Sequence, residues 1–448
     1  MSFLKLGKTH VPHYKNTASM PAVRMTKLPE TVLIPMVQHI GAPAVPTVKV
    51  GDHVYVGTLI AEAGGFVSAP VHSSVSGTVK KIESYLSSAG KTCPAIRIES
   101  DGLMEPDPSL KAPEITDFAS LSNAARSAGL VGLGGAGFPT SVKLAPANLD
   151  LLDTLVLNGA ECEPYITSDT RTMLDDADYI KKGIELIKST SKISSVIIGI
   201  EKNKGECIKK LADLFSSDES VKVAALPDSY PQGAEKILIY NTTGRAVPEG
   251  GLPSDVGVLV MNVTSIAFLA KYAETGMPLV EKCITVDGSA VDSPKNLIAP
   301  VGTAIIDVLS EVGVDIEKVG KVLYGGPMMG VAVYSVDDPI LKNTNAITAL
   351  NIKDSAPKKQ TACIHCGRCA LFCPMGLLPT VFAKAMNVDA AEERSERLTS
   401  AKINLCIECG SCSFVCPAAR PLVETNRLAK ADLREYTADK KKKEDAKK

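Results

Sequence analysis

The chain has 448 residues, enough for roughly three domains of ordinary size. Its formal net charge of −1 and its aromatic content of 4% do not favour nucleic-acid binding, because they provide neither a strongly basic surface nor many stacking platforms. No apolar run reaches the roughly 20 residues of a membrane-spanning helix, and no apolar block follows a basic start. We therefore expect a cytosolic chain, or one held at a membrane by its partners.

The first hundred residues show two different patterns. Residues 1–40 are rich in Pro, Lys and Met and have little periodicity, which predicts an extended arm. Residues 41–105 contain short β-branched runs broken by Gly-Asp, Val-Gly, Gly-Gly and Ser-Gly. Short runs between such turn signals are typical of small antiparallel strands, so this part predicts a compact β-barrel or sandwich.

An alternating pattern of helices and strands follows over residues 115–275. The apolar runs at 153–160 and 193–201 suit buried parallel strands, and helical patterns at 176–190 and 205–215 alternate with them. This alternation predicts an α/β domain.

Three further segments complete the chain. Residues 276–340 read as strand, glycine turn, strand and amphipathic helix, which predicts a small α+β module. Residues 355–430 place cysteine-rich blocks among short helical stretches. The segment 431–448 is highly charged and is predicted to be disordered.

Eight of the twelve cysteines form two copies of the motif C-x₂-C-x₂-C-x₃-C-P. A [4Fe–4S] cluster needs four thiolate ligands, and in two-cluster ferredoxins the fourth cysteine of each block binds the other cluster. The motif therefore predicts two clusters, one on Cys363, Cys366, Cys369 and Cys416, and one on Cys406, Cys409, Cys412 and Cys373. Structural zinc is disfavoured because zinc sites usually combine two C-x₂-C pairs. Two clusters carry single electrons, so the rest of the chain should supply a two-electron site.

A glycine-rich segment precedes the first buried strand. Gly132, Gly134, Gly135 and Gly137 let successive backbone N–H groups approach an anion or a flat ring closely. Lys143 follows at a distance from which it could reach a phosphate. A dinucleotide-binding loop is disfavoured because a helix, not a strand, precedes the glycines. A tight packing turn is the alternative.

Polar residues follow the next predicted strand. Asn158, Glu161 and Glu163 lie beyond its carboxyl end, where α/β folds bind ligands. Amide and carboxylate groups there suit the hydroxyls of a ribityl chain or a ribose. An ordinary polar loop is the alternative.

Four segments resemble the flavin- and NADH-binding 51-kDa subunit family of respiratory complex I. They read GLGGAGFPTSVK and NGAECEP, and later YPQGAEKILI and MNVTSIAFLA. Ala160 and Ala234 stand where that family has acidic residues. The segments IPMVQHIGAPAVPTVKVGDHV and APVHSSVSGTV, together with the domain order, are similar to the RnfC family, which belongs to the Rnf ferredoxin:NAD⁺ oxidoreductase complex.

The resemblance implies a multidomain α/β fold. Its units would be a lipoyl-like β-barrel or sandwich, a Rossmann-like α/β flavin–nucleotide domain, a β-grasp module and a helical two-cluster ferredoxin domain. The implied FMN contacts are Asn158, Glu161, Asn262 and Thr264, with the glycine loop and Lys143 at the phosphate. The implied nicotinamide-side residues are Phe138, Glu163, Tyr230 and Glu235, and Gly233 is a further cofactor-binding position. No side chain is expected to act as a catalytic acid or nucleophile.

The implied activity is electron transfer to NAD⁺. FMN would exchange hydride with NAD(H) and single electrons with the clusters. Electrons would arrive from ferredoxin through other Rnf subunits, both iron–sulfur and membrane-integral, and the complex would move Na⁺ or H⁺. The chain itself would be peripheral, on the cytoplasmic face of the membrane. Two alternatives stay open: a soluble NADH-dependent FMN/iron–sulfur reductase resembling cobalamin reductases, and an electron-relay scaffold with an inactive nucleotide site.

Overall fold

The computed structural model describes residues 7–88 and 90–445. Residues 7–30 follow a largely extended path that includes the short strand β1 (Val23–Arg24). The extended arm predicted over 1–40 is therefore present in part. Its first six residues lie outside the described ranges, and its last ten already contribute to a sheet.

Two small antiparallel sheets follow the arm. Their strands are β2 (Thr31–Pro35), β3 (Val45–Pro46), β4 (His53–Val54), β5 (Leu59–Glu62), β6 (Val71–His72), β7 (Gly77–Leu86) and β8 (Thr92–Ser100). The strand order is β2-β8-β7-β4 in one sheet and β3-β5-β6 in the other. Val32, Ile60, Val79 and Ile98 from both sheets are buried in one core. The predicted barrel or sandwich is confirmed, and its first strand begins earlier than expected.

The next unit is a parallel sheet flanked by helices. Its strands are β9 (Thr154–Gly159), β10 (Ser195–Glu201), β11 (Val221–Leu226) and β12 (Val258–Asn262), in the order β11-β10-β9-β12. The helices are α1 (Phe118–Ser127), α2 (Thr140–Lys143), α3 (Ser168–Asp175), α4 (Ala177–Thr190), α5 (Gly205–Leu214), α6 (Glu235–Thr243) and α7 (Val263–Thr275). Helices cover the sheet, so the strands of its middle are apolar on both sides. Asn158 and Asn262 face each other in register at the carboxyl ends of β9 and β12.

A mixed sheet lies beyond α7. Its strands are β13 (Glu281–Asp287), β14 (Lys295–Pro300), β15 (Val319–Tyr324), β16 (Val331–Ala332) and β17 (Ala346–Asn351), with helices α8 (Ile305–Glu311) and α9 (Ile352–Ser355). The order is β1-β14-β13-β17-β15-β16, so the arm supplies one edge strand. Because β17 lies between β13 and β15, this sheet reaches beyond the module predicted over 276–340.

The cysteine-rich region is helical. Its helices are α10 (Arg368–Leu371), α11 (Pro379–Ala385), α12 (Ala391–Ser400), α13 (Ser411–Phe414) and α14 (Leu422–Asp445). Phe382, Leu398 and Leu433 pack in its core. Helix α14 continues through the segment predicted to be disordered, because Leu433 anchors it and no Gly or Pro interrupts the residues that follow; residues 446–448 lie outside the described ranges. Across the described residues, no helix is both long and apolar enough to cross a membrane.

Candidate functional site

The glycine loop between α1 and α2 presents free backbone donors. The N–H of Gly132 donates to the carbonyl oxygen of Phe138 at 2.8 Å and closes the loop. Gly135 and Gly137 have φ values of +113° and +67°, which a residue with a Cβ rarely adopts. Within the described part of the chain, no residue accepts a hydrogen bond from the N–H groups of residues 134–137. Such a row of open N–H groups fits the phosphate of FMN.

Asn262 and Thr264 lie beside this loop, as the sequence predicts. Asn262 begins α7 and accepts hydrogen bonds from the Thr264 and Ser265 N–H groups. Its Nδ2 and the Thr264 hydroxyl both donate to Asp169, at 2.8 and 2.6 Å. A Cβ added to Gly134 would lie 2.9 Å from the Asn262 Nδ2, so the approach requires glycine. Sequence reasoning missed Asp169, since no local pattern links it to residues nearly a hundred positions later.

Asn158 and Gly233 meet at the carboxyl end of β9. Asn158 Nδ2 donates to the Gly233 carbonyl at 2.9 Å. A Cβ on Gly233 would approach Cys162, Ala160 and Asn158 at ordinary contact distance. Ala160 is fully buried among apolar side chains that include Leu238, which explains why an acidic residue would not be accommodated there.

Lys143 and Glu235 form an ion pair at the open end of α2. Lys143 Nζ lies 2.9 Å from Glu235 Oε2 and 3.4 Å from the Val260 carbonyl oxygen. Both side chains are partly exposed, and exposed ion pairs contribute little stability. A phosphate group can therefore compete with Glu235 for the lysine.

Glu161 points away from the glycine loop. Its carboxylate accepts hydrogen bonds from the N–H of Asp169 at 2.6 Å and from the N–H and hydroxyl of Thr170 at 3.3 and 2.5 Å. These groups belong to the first turn of α3, where a negative charge is favoured by the helix dipole. Burial raises the pKa of Glu161 even though Lys15 opposes the rise. The side chain therefore caps a helix.

Glu163 and Tyr230 connect the α/β unit to the second cysteine block. The Glu163 carboxylate accepts hydrogen bonds from the N–H groups of Met328 and Met329 at 3.1 and 2.7 Å. The Tyr230 hydroxyl lies 3.4 Å from Glu163 and donates to the Cys409 carbonyl at 2.7 Å. Burial raises the pKa of both groups. Two residues predicted for the nicotinamide side thus hold a contact between units, while Phe138 is half-buried at the end of the glycine loop.

Two lysines from distant segments fix the loop at residues 160–166. Lys15, from the arm, donates to the carbonyls of Glu161, Glu163 and Ile166 at 2.8, 2.9 and 2.6 Å. Lys204 donates to the carbonyls of Ala160 and Glu161 at 2.7 and 3.2 Å. The loop needs this support because Glu161 has a φ of +45°, a strained value for its residue type.

The eight motif cysteines form two groups in space. Burial raises the pKa of Cys369, and the neighbouring sulfurs of Cys416, Cys366 and Cys363 add to the rise. Burial likewise raises the pKa of Cys412 to about 12, with further contributions from Cys409, Cys406 and Cys373. Each group therefore combines three cysteines of one block with the last cysteine of the other. A [4Fe–4S] cluster requires such a set of four thiolates.

The two blocks share one backbone conformation. His365 and Glu408 occupy equivalent positions and both have a φ of +55°, and Gly367 and Gly410 have φ values of +73° and +78°. A Cβ on Gly410 would lie 2.5 Å from the Met328 carbonyl oxygen, so the second block packs directly against the loop that Glu163 holds. The equivalent Gly367 has open space around it.

Comparison with known proteins identifies each unit. Residues 5–103 match the RnfC barrel sandwich hybrid domain, residues 125–271 the Nuo51 FMN-binding domain and residues 362–419 a 4Fe-4S dicluster domain. Over 381 residues the chain is 41% identical to the RnfC protein of Acetobacterium woodii, a component of its Na(+)-translocating ferredoxin:NAD(+) oxidoreductase complex, covering 84% of this chain and 86% of the relative. This chain belongs to the RnfC family.

Other RnfC relatives agree. The corresponding component of the proton-translocating ferredoxin:NAD(+) oxidoreductase complex of Clostridium ljungdahlii is 40% identical, covering 85% of this chain and 84% of the relative. That of the ion-translocating oxidoreductase complex of Pseudomonas aeruginosa is 38% identical, covering 96% of this chain and 55% of the relative. A chain of an NAD⁺-reducing [NiFe]-hydrogenase shares the fold, with a TM-score of 0.51 and 19% identity over 71% of this chain and 63% of that one.

The RnfC assignment confirms the predicted family, the FMN-binding domain and the two-cluster domain. It also confirms a multidomain α/β fold with a barrel-sandwich unit. The individual cofactor contacts stay predictions.

Proposed function

We propose that this chain is the NAD(H)-reacting subunit of a membrane-bound ferredoxin:NAD⁺ oxidoreductase complex. Bound FMN supplies the exchange between hydride and single electrons, and two [4Fe–4S] clusters relay those electrons. The observation that carries the proposal is the hydrogen bond between Tyr230 and the Cys409 carbonyl, because it joins the flavin-binding unit directly to a cluster-binding block. The names of the relatives support the same reaction.

In this proposal the glycine loop binds the FMN phosphate through the N–H groups of residues 134–137, with Lys143 as its counter-charge. Asn158, Asn262 and Thr264 orient the ribityl and ring parts of the flavin at the carboxyl ends of β9 and β12. Glu161 and Glu163 act indirectly, by fixing the loop between the flavin and the clusters. Phe138, Gly233 and Glu235 line the nucleotide side.

The cysteine groups support the crossed ligation that the motif predicts. One cluster is held by Cys363, Cys366, Cys369 and Cys416, and the other by Cys406, Cys409, Cys412 and Cys373. The second cluster is the one adjacent to the flavin-binding unit, since Gly410 packs against Met328. Electrons therefore pass between the flavin and this cluster first.

The finer domain assignment also belongs to this proposal. The parallel sheet is a Rossmann-like flavin–nucleotide domain, and the mixed sheet is a β-grasp module that reaches residue 351. The other Rnf subunits, iron–sulfur and membrane-integral, deliver electrons from ferredoxin and carry out Na⁺ or H⁺ transport. The chain docks peripherally on them at the cytoplasmic face of the membrane.

An anaerobic assay of NADH-dependent dye reduction tests the proposal. The protein is reconstituted with iron, sulfide and FMN, and the variant Gly134→Ala is compared with Gly205→Ala, because the added methyl group meets Asn262 in the first and open space in the second. We expect wild type and Gly205→Ala to retain FMN and reduce the dye, and Gly134→Ala to lose both properties. Wild-type protein that holds FMN and both clusters but does not oxidise NADH would contradict the proposal. That result would favour the relay scaffold, for which the inward orientation of Glu161 and Glu163 is the supporting observation.

A further inference from the structure

Lys282 extends from the mixed sheet to the back of the glycine loop. It is the second residue of β13, and only 3% of its surface is exposed. Its Nζ donates to the Leu133 carbonyl oxygen at 3.0 Å. Leu133 is itself fixed, because its N–H donates to the Ser265 hydroxyl at 3.0 Å. The mixed sheet therefore places an ammonium group directly against the loop that binds the flavin.

This ammonium has fewer acceptors than the other enclosed lysines. Lys15 donates to three carbonyls and Lys342 to two. Lys204 donates to two carbonyls and to the Glu201 carboxylate. For Lys282, the Leu133 carbonyl is the single hydrogen-bond acceptor among residues 7–88 and 90–445. A buried cation with unused donors requires a negative charge nearby.

No described carboxylate forms an ion pair with Lys282. Asp169 is near enough to favour the charged form of the lysine, but its oxygens are engaged by Asn262 and Thr264. Burial lowers the pKa of Lys282 to about 8 against this attraction. The group is therefore still mostly protonated at neutral pH, and its charge is only partly compensated by the protein.

The Leu133–Gly134 peptide transmits this charge across the loop. In a planar trans peptide, the C=O and the following N–H point in opposite directions. Lys282 occupies the carbonyl side, so the Gly134 N–H faces the other side, where no described residue accepts it. Hydrogen bonding at the carbonyl polarises the peptide and makes its N–H a stronger donor.

We propose that Lys282 acts on the flavin through the Leu133–Gly134 peptide. It orients the Gly134 N–H towards the cofactor and adds positive charge behind the loop, which favours the reduced flavin because reduction adds negative charge. Lys282 is a positioning residue, since it contacts the loop and not the flavin. This inference rests on the proposed function, and it gives the mixed sheet a role in setting the flavin potential.

The test measures FMN affinity and the flavin midpoint potential of the full chain with both clusters in place. Lys282→Met removes the charge and the hydrogen bond, and Lys282→Gln keeps a donor without the charge. We expect Lys282→Met to weaken FMN binding roughly tenfold, the effect of losing one charge-assisted hydrogen bond. Both variants should shift the flavin potential to more negative values and leave the cluster potentials unchanged, and Lys282→Arg should restore the wild-type potential.

Lys342→Met is the matched control, because it removes an equally buried lysine that donates to the carbonyls of Pro70 and Gly129, outside residues 132–137. It should leave the flavin potential unchanged. An equal shift in this control, or an unchanged potential in Lys282→Gln and Lys282→Met, would overturn the inference while FMN binding by wild type still supports the proposed function. Wild-type protein that retains no FMN would instead overturn both.

Discussion

Replacing Lys15 by Met tests whether the arm fixes the loop between the flavin and the clusters. The substitution removes an ammonium group that donates to the carbonyls of Glu161, Glu163 and Ile166. Met has a similar length and no charge, so the variant keeps most of the packing of the side chain. The arm retains other contacts, including the hydrogen bond from the Tyr230 N–H to the Thr9 carbonyl at 2.8 Å.

The expected cost follows from the carbonyls that lose their partner. Glu161 keeps a hydrogen bond from Lys204, so two carbonyls, those of Glu163 and Ile166, lose their lysine. Each buried, unsatisfied acceptor costs about 1–3 kcal/mol. Release of the enclosed ammonium offsets part of this, because burial lowers the pKa of Lys15 to about 8 and thus opposes its charged form. A net local destabilisation of about 2 kcal/mol corresponds to roughly 30-fold more frequent opening of the loop.

Hydrogen exchange followed by mass spectrometry measures this opening. We expect faster exchange over residues 160–166 in Lys15→Met and no change in Lys27→Met, whose side chain lies in the same arm but is 82% exposed. FMN content should be unaffected, and electron transfer from flavin to clusters should slow. Unchanged exchange over 160–166, with the Tyr230 amide still protected, would refute the reasoning.

Three further predictions concern separate parts of the molecule. Tyr230→Phe removes the hydrogen bond to the Cys409 carbonyl, worth about 1 kcal/mol, and should slow flavin-to-cluster electron transfer in stopped-flow absorbance without changing FMN content; an unchanged rate would contradict it. Cys409→Ser should lower the iron content from about eight to about four per chain, whereas Cys207→Ser, outside both motifs, should keep the wild-type content. For Lys342, burial lowers the pKa to about 7 from 10.5, so the unfolded chain binds the extra proton above pH 7 and stability rises with pH. The stability of wild type relative to Lys342→Met should therefore increase by about 1 kcal/mol per pH unit from pH 7 to 9 in denaturant titrations, and a flat difference would show that Lys342 is not enclosed in solution.

The sequence predicts the units of this fold well where the pattern is local. The cysteine motifs, the glycine loop and the alternating apolar runs each lie within a short segment, and the structure brings together the residues that they predict. The orientation of Glu161 and Glu163 was not predictable, because it depends on α3 and on Met328, which lie elsewhere in the chain.

The enclosed lysines show the same limit. Lys15, Lys282 and Lys342 each reach a carbonyl more than a hundred residues away, and nothing in their local sequence separates them from exposed lysines. The disordered tail was predicted from charge alone, whereas α14 continues from a packed core through Leu433. Burial is set by tertiary contacts, so composition does not reveal it.

The arm has a consequence for how the protein matures. The N–H of Gly7 donates to the carbonyl of Leu371 at 2.8 Å, so one of the first described residues pairs with the first cysteine block. At typical translation rates, Leu371 is synthesised roughly 20–70 s after Gly7. A nascent chain must therefore keep its leading segment unpaired until the cysteine region has emerged from the ribosome. Insertion of iron and sulfide and the final docking of that segment consequently belong to the same late stage of biogenesis.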